Sequence, residues 1–146
     1  MAEFQTPGYH SVNPYIPVAG AERFIDFTVK AFGAEEMGRF AAPDGTIMHA
    51  EVRIGDSVVM LTDASDAMSA QPTALYVYVR DVDATHQQAV AAGGTSREEP
   101  SDKFYGDRTS TIVDPFGNQW FLATHVEDVD MDEMRKRAAE QGASDS

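Results

Sequence analysis

The side chains best suited to chemistry in this chain are His49 and Glu51, which lie two residues apart. Residues at this spacing on a β-strand project to the same face of a sheet. An imidazole beside a carboxylate could serve as a polarised acid–base pair or supply two ligands to a metal ion. A hydrogen-bonded structural or ligand-binding pair is the third interpretation. We favour it over a metal, because His-x-Glu alone lacks the further donors that a metal site needs.

The segment around this pair predicts a β-strand at residues 47–54, because apolar and polar side chains alternate along it. Arg53 lies on the same face as the pair. A tight turn at Gly55 returns the chain as a strand at 57–62, which brings Met60 to that face.

The elements that position these side chains occur twice. Tyr15 and Gly33 recur 61 residues later as Tyr76 and Gly94, and such a period indicates two copies of one structural unit. Each copy predicts the order β-α-β-β-β, and Asp83 is the predicted N-cap of the second helix. The first unit is predicted as strand 12–18, helix 21–32, and strands 36–41, 47–54 and 57–62. The second is strand 74–79, a helix that ends at the glycine pair 93–94, and strands 95–99, 109–113 and 119–124.

These elements predict a single α+β domain over residues 1–140. It consists of repeats at 9–63 and 73–125 and a C-terminal helical tail at 126–140, with the helix itself at 131–139. Residues 1–8 are predicted to be a loose leader.

The second repeat carries aromatic side chains on the face that points away from its helix, namely Tyr76, Tyr78 and Phe121. A face in bulk water would not carry these residues, and a dry core would not carry His49 or Glu51. The mixture is typical of a ligand-cavity wall, and a face buried by a second subunit is the alternative. The predicted ligand-binding residues are Asn13, Tyr15, His49, Glu51, Arg53, Met60, Tyr76, Tyr78 and Phe121, of which His49 and Glu51 are also the candidate catalytic residues.

Four further residues carry weaker signals. Asp107 and Arg108 are predicted to form an ion pair that orders their loop. His125 falls on the face of Phe121, and His86 is predicted to lie on the surface of the second helix.

Composition limits the classes of function. The chain has 146 residues, no cysteine and a formal net charge of −13, so disulfides and a thiol nucleophile are excluded. Such an acidic surface disfavours nucleic acid and anionic membranes as partners. The sequence shows neither an apolar run long enough to span a membrane nor a signal peptide, and a cytoplasmic location is therefore predicted.

Four stretches, in order and at matching spacing, resemble the vicinal-oxygen-chelate superfamily of glyoxalase I, bleomycin-resistance proteins and extradiol dioxygenases, and more narrowly its PhnB-like branch. They are Phe27 to Glu35, Ile47–Val58 (IMHAEVRIGDSV), Tyr105–Arg108 (YGDR) and Asp114–Trp120 (DPFGNQW), the last continuing to Val129. The resemblance implies a strongly curved eight-stranded sheet whose halves enclose a cup, usually in a homodimer.

The resemblance also locates the metal ligands of the family, one on the first and one on the last strand of each repeat. These positions hold Asn13 and Met60 in the first repeat, and Ala74 and Phe121 in the second. None is a histidine or a glutamate, and a thioether, a methyl group and a phenyl ring do not hold Zn, Ni or Fe. The usual metal quartet is therefore expected to be absent.

The sequence thus favours a protein that binds a small organic ligand, for example an aromatic one, in the cup without a cofactor. One alternative is a metal-dependent lyase, isomerase or dioxygenase with a displaced Zn or Ni site at His49 and Glu51. The other is a structural module whose face closes a dimer.

Overall fold

The computed structural model describes residues 3–145 of the chain. The first repeat contains β1 (Tyr15–Val18), α1 (Ala21–Phe32), β2 (Glu35–Ala41), β3 (Ile47–Ile54) and β4 (Ser57–Asp63). The second contains β5 (Ala74–Tyr78), α2 (Val82–Ala91), β6 (Thr95–Asp102), β7 (Asp107–Val113) and β8 (Gln119–His125), and α3 (Met131–Asp145) follows. The α+β class and the two βαβββ repeats are confirmed.

Within each repeat the four strands form one sheet, in the order β1-β4-β3-β2 and β5-β8-β7-β6. The first strand of each repeat runs parallel to the last, and the other pairs are antiparallel. Tyr15 pairs with Met60 and Tyr76 pairs with Phe121. Since both pairs are related by the offset of 61 residues, the internal symmetry of the sequence is also a symmetry of the structure.

The two repeats share one hydrophobic core. The indole ring of Trp120 in β8 is fully buried. Its ring centroid lies 4.6 Å from that of Phe32 and 6.2 Å from that of Phe24, both in α1. The helix of the first repeat therefore packs on the sheet of the second, which fixes the seam between them.

Aspartate carboxylates accept hydrogen bonds from backbone N–H groups at the starts of several elements. Asp63 accepts hydrogen bonds from the backbone N–H groups of Ala21 (2.8 Å) and Ile47 (2.7 Å), and so ties the start of α1 to β3.

The predicted N-cap of α2 is wrong by two residues. Asp81, in an extended conformation, caps the helix through the N–H of Ala84, whereas Asp83 lies within the first turn.

Several predicted boundaries also shift. Strand β1 starts at Tyr15 rather than residue 12, because Asn13 is engaged in a turn with His10. Strands β6 and β7 are longer than predicted because they pair with each other. Helix α3 extends to Asp145 instead of residue 139, since the added residues include good helix formers.

His86 is buried, not on the surface as predicted. Its Nε2 atom lies 2.9 Å from the hydroxyl oxygen of Ser96 in β6, a partner that makes burial of an imidazole tolerable. Within residues 3–145, no helix is long and apolar enough to cross a bilayer.

Candidate functional site

The outer face of the first sheet, called here the first-repeat face, carries Tyr15, His49, Glu51, Arg53 and Met60. The Nε2 atom of His49 lies 2.8 Å from Oε2 of Glu51. The rings of Tyr15 and His49 are 5.7 Å apart, and Met60 is the direct cross-strand neighbour of both Tyr15 and Glu51. The structure therefore brings together the polar pair that the sequence singled out and its predicted neighbours.

Residues 3–14, called the leader from here on, lie beside this face, and Phe4, Gln5 and Thr6 line a cavity together with Glu51. The looseness predicted for residues 1–8 stays a prediction. The hydroxyl group of Tyr9 donates a hydrogen bond to Oε1 of Glu51. Asn13 holds the leader by two hydrogen bonds to the backbone of His10, and both residues line a shallow cavity of about 410 Å³ with Glu51 and Met60. The leader docks because Glu51 offers an acceptor that no residue of the sheet satisfies fully.

Both carboxylate oxygens of Glu51 are engaged, Oε1 by Tyr9 and Oε2 by His49. Burial is the largest influence on the pKa of Glu51 and would raise it. The hydrogen bonds from His49 and Tyr9 together outweigh burial and hold the pKa below its ordinary value. Glu51 is therefore ionised at neutral pH, and it serves as an acceptor that organises its neighbours.

The outer face of the second sheet, called here the second-repeat face, carries the aromatic cluster Tyr76, Tyr78 and Phe121. The rings of Tyr76 and Tyr78 are 5.4 Å apart in an edge-to-face arrangement, and Tyr76 stacks on Phe121 at 6.5 Å. Tyr76 is 48% exposed and Tyr78 is 64% exposed. Since an exposed cluster of stacked rings can accept a further planar group, this face is suited to an aromatic ligand.

Asp107, at the start of β7, organises this cluster. Its Oδ2 atom accepts hydrogen bonds from the hydroxyls of Tyr76 (2.7 Å) and Tyr78 (3.1 Å). Its Oδ1 atom lies 2.8 Å from Nδ1 of His125, whose Nε2 is 2.6 Å from Asp128. Asp107 is only 4% exposed, so three charge-assisted hydrogen bonds replace its hydration.

The predicted ion pair between Asp107 and Arg108 is wrong. Neighbouring residues on a strand point to opposite faces, so Arg108 points away from the aromatic cluster. It pairs instead with Asp83, at 2.8 Å, and with Asp102, at 3.2 Å. The placement of His125 on the face of Phe121 is confirmed by the cross-strand pairing of His125 with Asp107.

The hydrogen bonds of this network shift the pKa of each partner. Burial acts most strongly on the pKa of Asp107 and would raise it, but the bonds from Tyr76, His125 and Tyr78 together lower it. The hydrogen bond to Asp128, followed by that to Asp107, raises the pKa of His125. Burial, and then the bond to Asp107, raises the pKa of Tyr76. Asp107 is therefore ionised, and the tyrosines are neutral at neutral pH.

A cavity of about 340 Å³ lies at the seam between the repeats, and we call it the seam cavity. Its walls come from the leader, the β3–β4 turn with its flanks, and β5 with the neighbouring Trp120. The lining residues are His10, Val12, Pro14, Ile54 to Val59, Leu75 to Tyr78, and Trp120. Its volume falls within the range of small-ligand sites, and Tyr76 and Tyr78 belong both to its wall and to the aromatic cluster.

The residues at the metal positions of the fold family do not fit a metal. Met60 and Phe121 occupy the last-strand positions, Ala74 offers no donor, and the amide of Asn13 is engaged with the backbone of His10. Among residues 3–145, no three His, Asp or Glu side chains are grouped so that they could hold an ion. His49 and Glu51 form a pair without a third such residue.

Sequence reasoning missed Tyr9, His10 and the acceptor role of Asp107. Tyr9 and His10 lie in a short polar segment without periodicity, which gave no signal. Asp107 could have been found, because extending the alternation of Thr109 and Thr111 back along β7 places it on the face of Phe121.

The fold and these two faces define a class of paired-repeat α+β proteins with a ligand-sized cavity at the seam. The chain belongs to the Glyoxalase/Bleomycin resistance protein/Dioxygenase superfamily, whose sequence pattern matches residues 9–122.

Related proteins are similar to this chain over most of its length. An uncharacterized protein of Mycobacterium tuberculosis strain H37Rv is 37% identical over 143 residues, which cover 90% of this chain and 84% of that protein. The crystal structure of TioX from Micromonospora sp. ML1 has 27% identity and a TM-score of 0.65, covering 80% of this chain and all of TioX. TnmS3, an antibiotic binding protein from Streptomyces sp. CB03234, has 22% identity and a TM-score of 0.65, covering 83% of this chain and 99% of TnmS3.

Proposed function

We propose that this protein binds a small, planar organic molecule in the seam cavity and against the aromatic cluster, without the metal quartet of its superfamily. The observation that carries the proposal is the continuity between the two. Tyr76 and Tyr78 line a cavity of about 340 Å³ and are also the exposed rings of a stacked cluster. A ligand that inserts there gains aromatic contact on one side and an apolar wall on the other.

The composition of the site supports binding over catalysis. Glu51 and Asp107 both accept hydrogen bonds from neighbouring side chains, so neither is held ready as a free general base. The antibiotic-binding neighbour is consistent with this proposal at the level of the fold. The narrower assignment to the PhnB-like branch is part of the proposal and rests on the four sequence stretches described above.

A thermal-shift screen of planar aromatic compounds tests the proposal. A ligand present at about 100 times its Kd stabilises the native state by about 2.7 kcal/mol, which raises the midpoint by roughly 5–10 °C. Trp120, the only tryptophan of the chain, lines the cavity and provides a second readout through fluorescence quenching. If no compound raises the midpoint and none quenches Trp120, the proposal is wrong.

A pair of matched variants locates the binding. Tyr78→Leu removes an exposed ring of the cluster and is expected to abolish most of the thermal shift. Phe40→Leu removes a ring that is 74% exposed on the edge strand β2, away from the seam, and is expected to leave the shift unchanged. Equal loss in both variants would place the ligand elsewhere.

Elemental analysis of protein purified without added metal tests the proposal that the protein does not contain the metal of its superfamily. We expect substoichiometric Zn, Ni, Mn and Fe. Near-stoichiometric metal that disappears in a His49→Ala/Glu51→Ala variant would instead support a displaced metal site and an enzymatic function.

We also propose that the protein is a cytoplasmic homodimer. A homodimer is the assembly that the family resemblance implies, and light scattering after gel filtration measures the mass. A mass of one chain would refute the dimer, and a dimer that buried Tyr78 would refute ligand binding at the aromatic cluster.

A further inference from the structure

The tyrosines of the second-repeat face have no free proton to offer a ligand. A phenol carries one donor proton and otherwise accepts. The hydroxyls of Tyr76 and Tyr78 both donate to the same atom, Oδ2 of Asp107. Their oxygen atoms therefore remain available to a ligand only as acceptors.

This arrangement is fixed by the burial of Asp107. The carboxylate is 4% exposed, and its other oxygen is occupied by His125. If either tyrosine turned its proton to a ligand, the carboxylate would lose a charge-assisted hydrogen bond that water cannot replace. The orientation of the hydroxyls is therefore a property of the site before any ligand arrives.

The charges around the aromatic cluster favour a cation. Asp107 lies directly beside it, and Asp56 lines the seam cavity. The nearby His125 is held between two carboxylates, so its charge is compensated when it is protonated. Arg108 points to the opposite side of the sheet, where Asp83 and Asp102 pair with it.

We infer that the site selects planar aromatic ligands that bring hydrogen-bond donors or a positive charge, such as ring-protonated amino-substituted N-heterocycles, and that Asp107 is the positioning residue that sets this specificity. The cation would meet two phenolic acceptors, ring faces that attract positive charge, and a nearby carboxylate. The inference rests on the proposed function and specifies its ligand class.

Two probes of the same three-ring size separate charge from shape. Aminoacridinium is a planar cation at neutral pH, and anthracenecarboxylate is a planar anion. Titration followed by probe fluorescence anisotropy, at about 0.15 M salt to screen the net charge of the chain, is expected to show binding of the cation at least about tenfold tighter than that of the anion.

Two variants that remove the same single charge assign the preference. Asp107→Asn removes the buried negative charge and replaces one of its two acceptor oxygens by an amide donor, and it is expected to weaken cation binding about tenfold, with little change for the anion. Asp66→Asn, on the exposed linker between the repeats, is expected to change cation binding less than about twofold. Tyr78→Phe removes one phenolic oxygen from a 64% exposed side chain and is expected to weaken cation binding about fivefold, even if Asp107→Asn does not fold.

The outcomes distinguish this inference from the proposed function. If neither probe nor any other planar compound binds, the proposed function fails and the inference with it. If planar compounds bind but the anion matches or exceeds the cation, binding stands and the inference is overturned. Equal effects of Asp107→Asn and Asp66→Asn would also overturn it, because the preference would then come from the overall charge.

Discussion

Replacing Asp114 by alanine is expected to lower the free energy of unfolding by about 4 kcal/mol. Asp114 lies in the β7–β8 turn and is 4% exposed. It accepts hydrogen bonds from the backbone N–H groups of Phe116 and Asn118, from the Asn118 amide and from the indole N–H of Trp120, all between 2.9 and 3.1 Å. One carboxylate therefore holds the turn and the largest buried side chain of the core.

The magnitude follows from the donors that the substitution leaves behind. The indole N–H of Trp120 and the amide of Asn118 belong to side chains that are at most 1% exposed, so water cannot readily replace the lost acceptor. An unsatisfied buried donor costs about 1–3 kcal/mol, and two of them account for most of the expected loss. Because Trp120 also lines the seam cavity, the variant should bind ligands more weakly as well.

Urea unfolding followed by the fluorescence of Trp120 and by far-UV circular dichroism measures the change. Asp44→Ala is the matched control, because Asp44 lies in an exposed turn and accepts a bond from the backbone N–H of Thr46. It should cost far less than Asp114→Ala. A loss below about 1 kcal/mol in Asp114→Ala would refute the argument that buried donors depend on this carboxylate.

Three further variants test other contacts. His125→Asn should be less stable than the wild type mainly below pH 6.5. The raised pKa of His125 stabilises the folded state at low pH, and this stabilisation is lost as the pH rises through the pKa of the folded state. A difference in melting midpoint between variant and wild type that grows with pH would contradict this. Tyr9→Phe should raise hydrogen exchange in the leader about fivefold by removing its bond to Glu51, and unchanged exchange would show that other contacts hold the leader. Gly106→Ala should cost at least about 2 kcal/mol in urea unfolding, since its φ is +97° and a Cβ would overlap the carbonyl oxygen of Glu127; a neutral effect would mean that the loop can shift freely.

The elements and the internal symmetry could be predicted because they depend on local patterns. Alternation along β3 placed His49 and Glu51 on one face, and the structure confirms that they are in contact. Helix α1 matches its predicted bounds, since an apolar face and the left-handed Gly33 define them. These signals arise within a few residues and do not depend on how the repeats pack.

The parts that the sequence did not predict depend on partners distant in the chain. His86 is buried because Ser96, ten residues away in β6, lies beside its imidazole. Tyr9 finds Glu51 across 42 residues. For His86 tertiary packing reverses the surface position that the sequence predicted, and for Tyr9 it supplies a partner of which the sequence gave no signal.

The two repeats keep the same backbone pairing but differ in what lies on their outer faces. Around the equivalent pairs Tyr15–Met60 and Tyr76–Phe121, each face has one ionised carboxylate that accepts hydrogen bonds from tyrosine hydroxyls, Glu51 in the first repeat and Asp107 in the second. On the first face, however, the tyrosine comes from the leader and covers the sheet, whereas on the second both tyrosines belong to β5 and leave their rings exposed. The hydrogen bond to Glu51 thus holds the leader against the first sheet, whereas the hydrogen bonds to Asp107 leave the rings of Tyr76 and Tyr78 exposed on the second. The second repeat and the seam are therefore better suited to a ligand than the surroundings of His49.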